Sequence, residues 1–262
     1  MLAVVALLGS ACGTTAGADG DPLLVAGAAD LMPAFTELRD SFEEATGERV
    51  TFTFGSSGQL AQQIREGAPM DVYASANVAF VEAVLDAGIG DPDTQATYAF
   101  GRITMWSRDG GWGGWADLED LVADGSVTTI AIANPEHAPY GSAAKEAFES
   151  AGLWDEVEPR LVFGENIADT QRLAATGNAD VAIVALSLAI AADDADGGEW
   201  VLIDDALHEP LQQDLVVITD DPDRAASAAR FVAHVTSPEG REVMRRYGLL
   251  LPGEELPPLE RG

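Results

Sequence analysis

The chain has 262 residues, 47% of them hydrophobic, which is enough for one large domain or two ordinary ones with a packed core. It contains 44 acidic and 14 basic residues, for a formal net charge of -30, which argues against nucleic acid or anionic membrane surfaces as partners. The acidic residues are scattered along the chain, as is typical of a solvated surface.

The N-terminus, MLAVVALLGSAC, is an apolar run that ends in small residues and then Cys12, the only cysteine. This pattern resembles the end of a bacterial lipoprotein signal, whose cysteine is lipidated after cleavage, so we expect residues 1–12 to be a signal remnant. The alternative is a free buried cysteine on a first helix. Residues 13–22, GTTAGADGDP, are typical of a flexible tether.

The next part of the chain alternates strands and helices. The helix after the first strand has one apolar face, along Leu31, Phe35, Leu38 and Phe42, and a second helix is expected to stop at Gly67. A third helix is predicted near residues 80–85. Short β-branched and apolar runs predict strands at residues 23–28, 50–54 and 70–75.

A second series of the same kind follows. Two of its helices are predicted near residues 142–151 and 168–175, and the last helix is expected to begin with Ser237 before Pro238. The predicted strands are residues 101–106, 128–133, 161–163, 180–186, 200–203 and 214–218.

The alternation of strands and helices predicts an α/β protein with mainly parallel sheets and helices on both faces. We expect two Rossmann-like lobes with a ligand cleft between them. The predicted first lobe comprises residues 23–99 and 213–262, and the predicted second lobe comprises residues 100–212. The chain is expected to cross near residues 98–102 and to return near residues 211–214.

Four strand-to-helix turns are candidates for a binding site: AGAAD (26–30), GSSG (55–58), NPEHAPYGSAA (134–144) and GENIAD (164–169). In open α/β sheets, ligands lie beyond the carboxyl ends of the strands, where such turns converge. Each helix start offers unpaired N–H groups and about half a positive charge, so an oxyanion can bind there without lysine or arginine. For GSSG alone, an ordinary turn with Ser57 as a helix cap is the alternative.

Several separate motifs resemble the substrate-binding proteins of molybdate ABC transporters. They are FGSSGQLAQQIREGAPMDVYASA (54–76), GRITMWSRD (101–109), NPEHAPYGSAAKEAF (134–148) and RRYGLLLP (245–252), and the resemblance runs from about Leu23 to Pro252. It implies a type II periplasmic binding protein fold, a molybdate or tungstate ligand, no cofactor and no enzyme activity. The implied partner is an ABC transporter permease. We expect a monomer outside the cytoplasm that is attached to the membrane only by a lipid anchor.

The resemblance also implies the ligand-binding residues. Ser57 is expected to give its hydroxyl and backbone N–H to the oxyanion, and Tyr140 and Ile167 their backbone N–H groups. Molybdenum is present only within the oxyanion, with no direct protein–metal bond. Asp30 stands where many members of the family carry serine. Because an ionised carboxylate repels a dianion, we expect the Asp30 side chain to cap its own helix while its backbone N–H faces the ligand.

Two further positions qualify this site. Many members of the family have a tyrosine ligand near the position of Ala185, so no ligand is expected from that strand end. His137 lies in a candidate binding turn, and we expect it to orient the loop.

Three alternatives remain open at this stage. The first is a receptor for another oxyanion, such as sulfate or phosphate. The second is a hydrolase that uses Ser56 or Ser57 as nucleophile, with His137 as the only plausible base. The third is an anchored interaction module without a small ligand.

Overall fold

The structure, a computed structural model, describes residues 21–108, 111–195 and 197–254. The predicted signal remnant with Cys12, and residues 13–20 of the tether, lie outside the described residues. Within the described residues, none of the helices combines the length and the apolar character needed to cross a membrane.

The chain forms two lobes, each built around a five-stranded sheet. The first lobe begins with β1 (Leu23–Ala28), α1 (Met32–Thr46), β2 (Val50–Gly55), α2 (Ser57–Arg65), β3 (Val72–Ser75), α3 (Val78–Asp86) and β4 (Ala96–Gly101). The second lobe contains β5 (Ile103–Ser107), α4 (Leu118–Ala123), β6 (Ile130–Ala133), α5 (Pro139–Ser150), α6 (Trp154–Val157), β7 (Leu161–Gly164), α7 (Ile167–Ala175), β8 (Val181–Ala185), α8 (Leu186–Ala195) and β9 (Glu199–Leu202). The chain then returns to the first lobe with β10 (Leu211–Val217), α9 (Pro222–Thr236) and α10 (Pro238–Arg246).

Both sheets are mixed, but in each of them four strands run in the same direction and one strand opposes them, so the sheets are mainly parallel in strand direction, as predicted. The strand orders are β2-β1-β3-β10-β4 and β7-β6-β8-β5-β9. Strand β10 pairs antiparallel with β3 and β4, and β5 pairs antiparallel with β8 and β9. The strands that oppose their neighbours, β5 and β10, are the first strands that the chain forms after it crosses from one lobe to the other. They run in the opposite direction to the strands of the βαβ units in the same sheet.

The local signals for helices act as expected. The apolar face of α1 is buried, including Phe35, Leu38 and Phe42, and the helix ends at Gly47, whose positive φ of 74° suits glycine. The first residue before α10 is Ser237, whose Oγ accepts a hydrogen bond from Gly240 N at 3.0 Å, which confirms the predicted cap.

Two connections join the lobes. The first is Arg102, which lies between β4 and β5, and the second is the segment from β9 to β10. The predicted strand at residues 101–106 corresponds to β5, with only Gly101 belonging to β4, and β4 itself was not predicted. The lobe boundaries at 99/100 and 212/213, which fall inside β4 and β10, remain a prediction.

Candidate functional site

Four strand-to-helix turns meet at one small cavity between the lobes. The turns after β1 and β2 come from the first lobe, and those after β6 and β7 from the second. The cavity volume is about 10 Å³, roughly that of one water-sized sphere. The lining residues are Ala28, Ala29, Asp30, Gly55, Ser56, Ser57, Ala76, Ala138, Pro139, Tyr140 and Ile167.

Three helices begin at this cavity, and three of the four predicted ligand-binding residues lie in their first turns. Ser57 and Ile167 are the first residues of α2 and α7, and Tyr140 is the second residue of α5. Backbone N–H groups at these positions have no acceptor within their own helix. The structure therefore brings together three unpaired donor positions and three positive helix ends in a buried space whose lining contains no lysine or arginine.

The Ser57 side chain does not cap α2. The N-cap residue is Ser56, and it makes no side-chain capping bond. Ser57 Oγ instead accepts a hydrogen bond from Ala76 N at 3.0 Å, and Tyr73 Oη donates to Ser57 O at 2.7 Å. Because the hydroxyl of Ser57 acts here as an acceptor, its own hydrogen remains available to a ligand in the cavity.

The expectation that the Asp30 side chain caps its own helix was wrong. Asp30 lies in a 3-10 turn, Ala29–Leu31, and neither this turn nor α1 has a side-chain cap. The carboxylate instead lies between the lobes: its Oδ2 accepts hydrogen bonds from Tyr140 Oη of the second lobe at 2.9 Å and from Gln213 Nε2 of the first lobe at 2.7 Å. The carboxylate is therefore held by two partners distant in the chain, and it makes no hydrogen bond at the local capping position.

Burial governs the charge of Asp30, whose exposed fraction is 0%. Desolvation raises the pKa of Asp30 from its ordinary value of 3.8 to about 6, although the hydrogen bonds from Gln213 and Tyr140 oppose this rise. An ionised carboxylate about 4 Å from a bound anion costs about 4 kcal/mol per unit of anion charge at an effective dielectric constant of about 20. Asp30 is thus the only residue lining the cavity whose negative charge opposes the binding of an anion.

Sequence reasoning missed three residues around Asp30. Gln213 lies in β10, one residue before the predicted start of that strand, and Ser187 Oγ donates to Asp30 O at 2.7 Å. Gly101, at the end of β4, permits the close approach of Tyr140: a Cβ atom here would lie 2.2 Å from Tyr140 Oη. No local sequence pattern marks these residues, because their roles arise from contacts between the lobes.

A further contact between the lobes involves His137. Gly58 N donates to His137 O at 2.9 Å, and Ser56 Oγ also donates to that carbonyl oxygen. The ring Nδ1 of His137 lies 2.8 Å from Ser56 Oγ, while Nε2 lies 3.4 Å from the amide Nε2 of Gln59. A serine hydrolase needs a base oriented by an acid, and an amide occupies that place here.

Ala185 is a fully buried residue at the end of β8 and does not line the cavity. Within the described ranges, His, Cys, Asp and Glu residues form no group of three that could hold a metal ion.

Comparison with known proteins places the chain in a family. Residues 23–250 match the family model described as bacterial extracellular solute-binding protein. The chain is 35% identical over 226 residues to the molybdate-binding protein ModA of Rhodobacter capsulatus, which covers 86% of this chain and 87% of that protein. The chain belongs to the molybdate-binding ModA family of bacterial extracellular solute-binding proteins. The resemblance found in the sequence is thereby confirmed.

Solved structures of other binding proteins share the fold. The periplasmic molybdate-binding protein of Azotobacter vinelandii superposes with a TM-score of 0.81 at 29% identity, over 88% of this chain and 99% of that chain. The sulfate-binding protein SubI of Mycobacterium tuberculosis has the same fold at 16% identity, with a TM-score of 0.75. The two-lobed α/β fold is confirmed. These relatives are binding proteins, which agrees with the prediction that the chain is not an enzyme.

Proposed function

We propose that this chain is the extracytoplasmic receptor of a molybdate ABC importer and that it binds molybdate, or tungstate, in the cavity between its lobes. The observation that carries the proposal is the convergence of three helix starts on one buried space without a basic residue. Membership of the ModA family supports molybdate as the oxyanion.

The proposed ligand contacts are donors from both lobes. Ser57 gives its hydroxyl and backbone N–H, and Tyr140 and Ile167 give their backbone N–H groups. Hydrogen bonds to a charged group contribute about 1.5–3 kcal/mol each, so four of them supply about 6–12 kcal/mol. Association costs about 4–15 kcal/mol, so each additional donor matters for affinity.

The acidic surface does not prevent anion binding in this arrangement. Donors at contact distance act at about 3 Å, whereas surface carboxylates are screened beyond a Debye length of about 8 Å at physiological salt. Closure of the lobes excludes water and strengthens the donors, and the size of the closed cavity separates molybdate from smaller oxyanions.

Isothermal titration calorimetry with molybdate, tungstate, sulfate and phosphate tests this proposal. We expect binding of molybdate and tungstate at one site per chain, with much weaker binding of the other two anions. A preference for sulfate or phosphate would identify a receptor for that anion. Failure of every oxyanion to bind, or to raise the melting temperature, would support an interaction module without a small ligand.

The location and partners of the receptor are part of the proposal. A lipid on Cys12 and a flexible tether would keep the lobes at the outer face of the membrane, where the closed form docks on the permease. Mass spectrometry of the chain from its native membrane tests the lipid, and a Cys12→Ala variant should be released into the soluble fraction. Sedimentation of the purified protein tests the proposed monomeric state.

A further inference from the structure

The Asp30 carboxylate in the cavity has one satisfied and one unsatisfied oxygen. Oδ2 accepts hydrogen bonds from Tyr140 Oη at 2.9 Å and from Gln213 Nε2 at 2.7 Å. Oδ1 is buried and has no hydrogen-bond partner in any other residue that the structure describes. A buried oxygen without a partner is costly, so it indicates a place where a further group binds.

The neighbours of Asp30 have no hydrogen left for a ligand. Tyr140 has one hydroxyl hydrogen, which is directed to Asp30 Oδ2. The amide nitrogen of Gln213 has two, and it donates to Asp30 Oδ2 and, at 2.9 Å, to Tyr140 Oη. A new donor at this point of the cavity therefore requires a new hydrogen. A proton on Oδ1 leaves both bonds to Oδ2 intact and converts the unsatisfied acceptor into a donor.

We propose that Asp30 takes up one proton from solvent when the oxyanion binds and that the resulting Oδ1–H donates a hydrogen bond to the anion. This inference rests on the proposed oxyanion-binding function of the same cavity. It assigns to this chain a carboxylic acid in the position where many members of the family carry a serine hydroxyl. Binding of the oxyanion then becomes dependent on pH, because the receptor binds one anion together with one proton.

Repulsion between an ionised Asp30 and the anion costs more affinity than the protonation of Asp30 does. An ionised carboxylate about 4 Å from the anion weakens binding about a thousandfold per unit of anion charge at an effective dielectric constant of about 20. Burial raises the pKa of Asp30 to about 6, so the cost of adding the proton at pH 7 is only about tenfold in affinity. Neutralisation of Asp30 is therefore the less costly route to a bound dianion.

The other groups that face Asp30 do not supply the proton. The titratable groups nearest to it are phenols, Tyr140 from α5 and Tyr98 from β4, and burial raises the pKa of both well above the ordinary value of 10. Asp214 of β10 raises the pKa of Tyr98 further. The residues that α7, α8 and β2 present around this turn are uncharged: Ile167, Ser187 and Gly55.

The expected pH profile follows from the two states of Asp30. Below about pH 6 the free receptor already carries the proton, so affinity does not change with pH. Above about pH 6 the proton must be taken up, so affinity falls about tenfold per pH unit until the pKa of the bound form is reached. At pH 7.5, affinity should be about thirtyfold below the low-pH value.

The test is calorimetry with sodium molybdate between pH 5.5 and 8.5, without phosphate buffer, which would compete for the site. Titrations at pH 7.5 in Tris and in PIPES, whose ionisation enthalpies differ, count the protons taken up. We expect close to one proton per anion. Wild-type protein that binds molybdate with a flat pH profile and no proton uptake would overturn the inference and leave the proposed function intact. The absence of binding at both ends of the range would overturn both.

Matched variants identify the titrating group. Asp30→Asn has the same shape and carries a permanent donor, so we expect a flat profile and, at pH 7.5, about thirtyfold tighter binding than in the wild type. Asp30→Ser, which should also give a flat profile, serves if the asparagine variant does not fold. His137→Gln removes the imidazole that contacts Ser56 in the lining of the cavity, and should keep the wild-type slope. A slope that persists in folded Asp30→Asn, or folded Asp30→Asn that binds much more weakly at pH 5.5, would overturn the inference.

Discussion

The hydroxyl oxygen of Tyr140 lies 2.9 Å from Oδ2 of Asp30, and this hydrogen bond joins the turn after β6 in one lobe to the turn after β1 in the other. Both side chains are buried, and Gln213 donates to both of them from β10. The same three side chains thus connect the two lobes and border the cavity. Changes at this cluster should therefore affect lobe closure and ligand binding together.

Tyr140→Phe should destabilise the protein by an amount that depends on pH. At pH 8 the variant removes a hydrogen bond to an ionised carboxylate, and the free energy of unfolding should fall by about 1.5–3 kcal/mol. At pH 5 Asp30 is protonated, because its pKa is raised to about 6, and the loss should shrink to about 0.5–1.5 kcal/mol. Urea unfolding at both pH values measures the difference. Tyr98→Phe, which removes a hydrogen bond to Ser75 O at 3.2 Å, is the control and should show the same loss at both.

Gly101→Ala should weaken both the closed form and the binding of molybdate. The added Cβ would lie 2.2 Å from Tyr140 Oη and 2.9 Å from Gln213 Nε2, so one of these buried groups must move. We expect a loss of about 1–3 kcal/mol in the free energy of unfolding and at least about tenfold weaker binding by calorimetry. Gly125→Ala is the matched control, since no atom lies within 4 Å of its Cβ position. Equal behaviour of the two variants would contradict the close approach at Gly101.

The predicted and observed structures agree where the signal is local. The apolar spacing along α1 and the Ser237 cap of α10 are set by neighbouring residues, and both were predicted. Strand β4 was missed because it is an edge strand whose partners, β10 and a bridge at Leu250, come from distant parts of the chain. The same limit explains the antiparallel pairings, which depend on how the chain returns between lobes.

At the candidate site, too, the features set by neighbouring residues were predicted and those set by distant residues were not. The sequence led to the turns that contain Ser57, Tyr140 and Ile167, and the structure places them around one cavity. The orientation of Asp30 was not predictable from local rules, which favour a helix cap. Its partners Tyr140 and Gln213 are 110 and 183 residues away in the chain. Tyr140 comes from the other lobe, and Gln213 comes from β10, the strand that returns to the lobe of Asp30.

Ser57→Ala should weaken molybdate binding if the hydroxyl donates to the oxyanion. Loss of one hydrogen bond to a charged ligand costs about 1–3 kcal/mol, which corresponds to about fivefold to 150-fold in affinity. Ser41→Ala is the control, because Ser41 contacts Leu38 O and His234 in α1 and α9, away from the cavity. Calorimetry at pH 6 measures both variants. An unchanged affinity in Ser57→Ala would remove this hydroxyl from the site.

Arg102→Ala should destabilise the protein more than the loss of any exposed arginine. The Arg102 side chain is 2% exposed and donates to Asp205 Oδ2 from Nε at 3.0 Å and from Nη2 at 2.7 Å. This ion pair joins the two connections between the lobes, and its removal leaves a partly buried carboxylate unpaired, so we expect a loss of about 3–5 kcal/mol. Arg172→Ala, at a side chain that is 62% exposed, should cost at most about 1 kcal/mol in the same urea experiment. A loss below that value for Arg102→Ala would contradict the structural role of the pair.

Asp30 should also make the stability of the protein decrease as the pH rises from about 4 to about 6. In this window the unfolded chain has lost the proton, at the ordinary pKa of 3.8, while the folded protein still holds it, because burial raises the folded pKa to about 6. The folded state binds more protons than the unfolded state, so the free energy of unfolding falls with pH, by about 3 kcal/mol in total. Asp30→Asn lacks this term. The free energy of unfolding of Asp30→Asn, measured in urea, should therefore rise relative to that of the wild type by about 3 kcal/mol between pH 4 and pH 6. Above pH 6 the difference between the two proteins should stay constant. Taking the difference between the two proteins cancels the titration of all other groups, and a difference that does not change with pH would contradict the raised pKa.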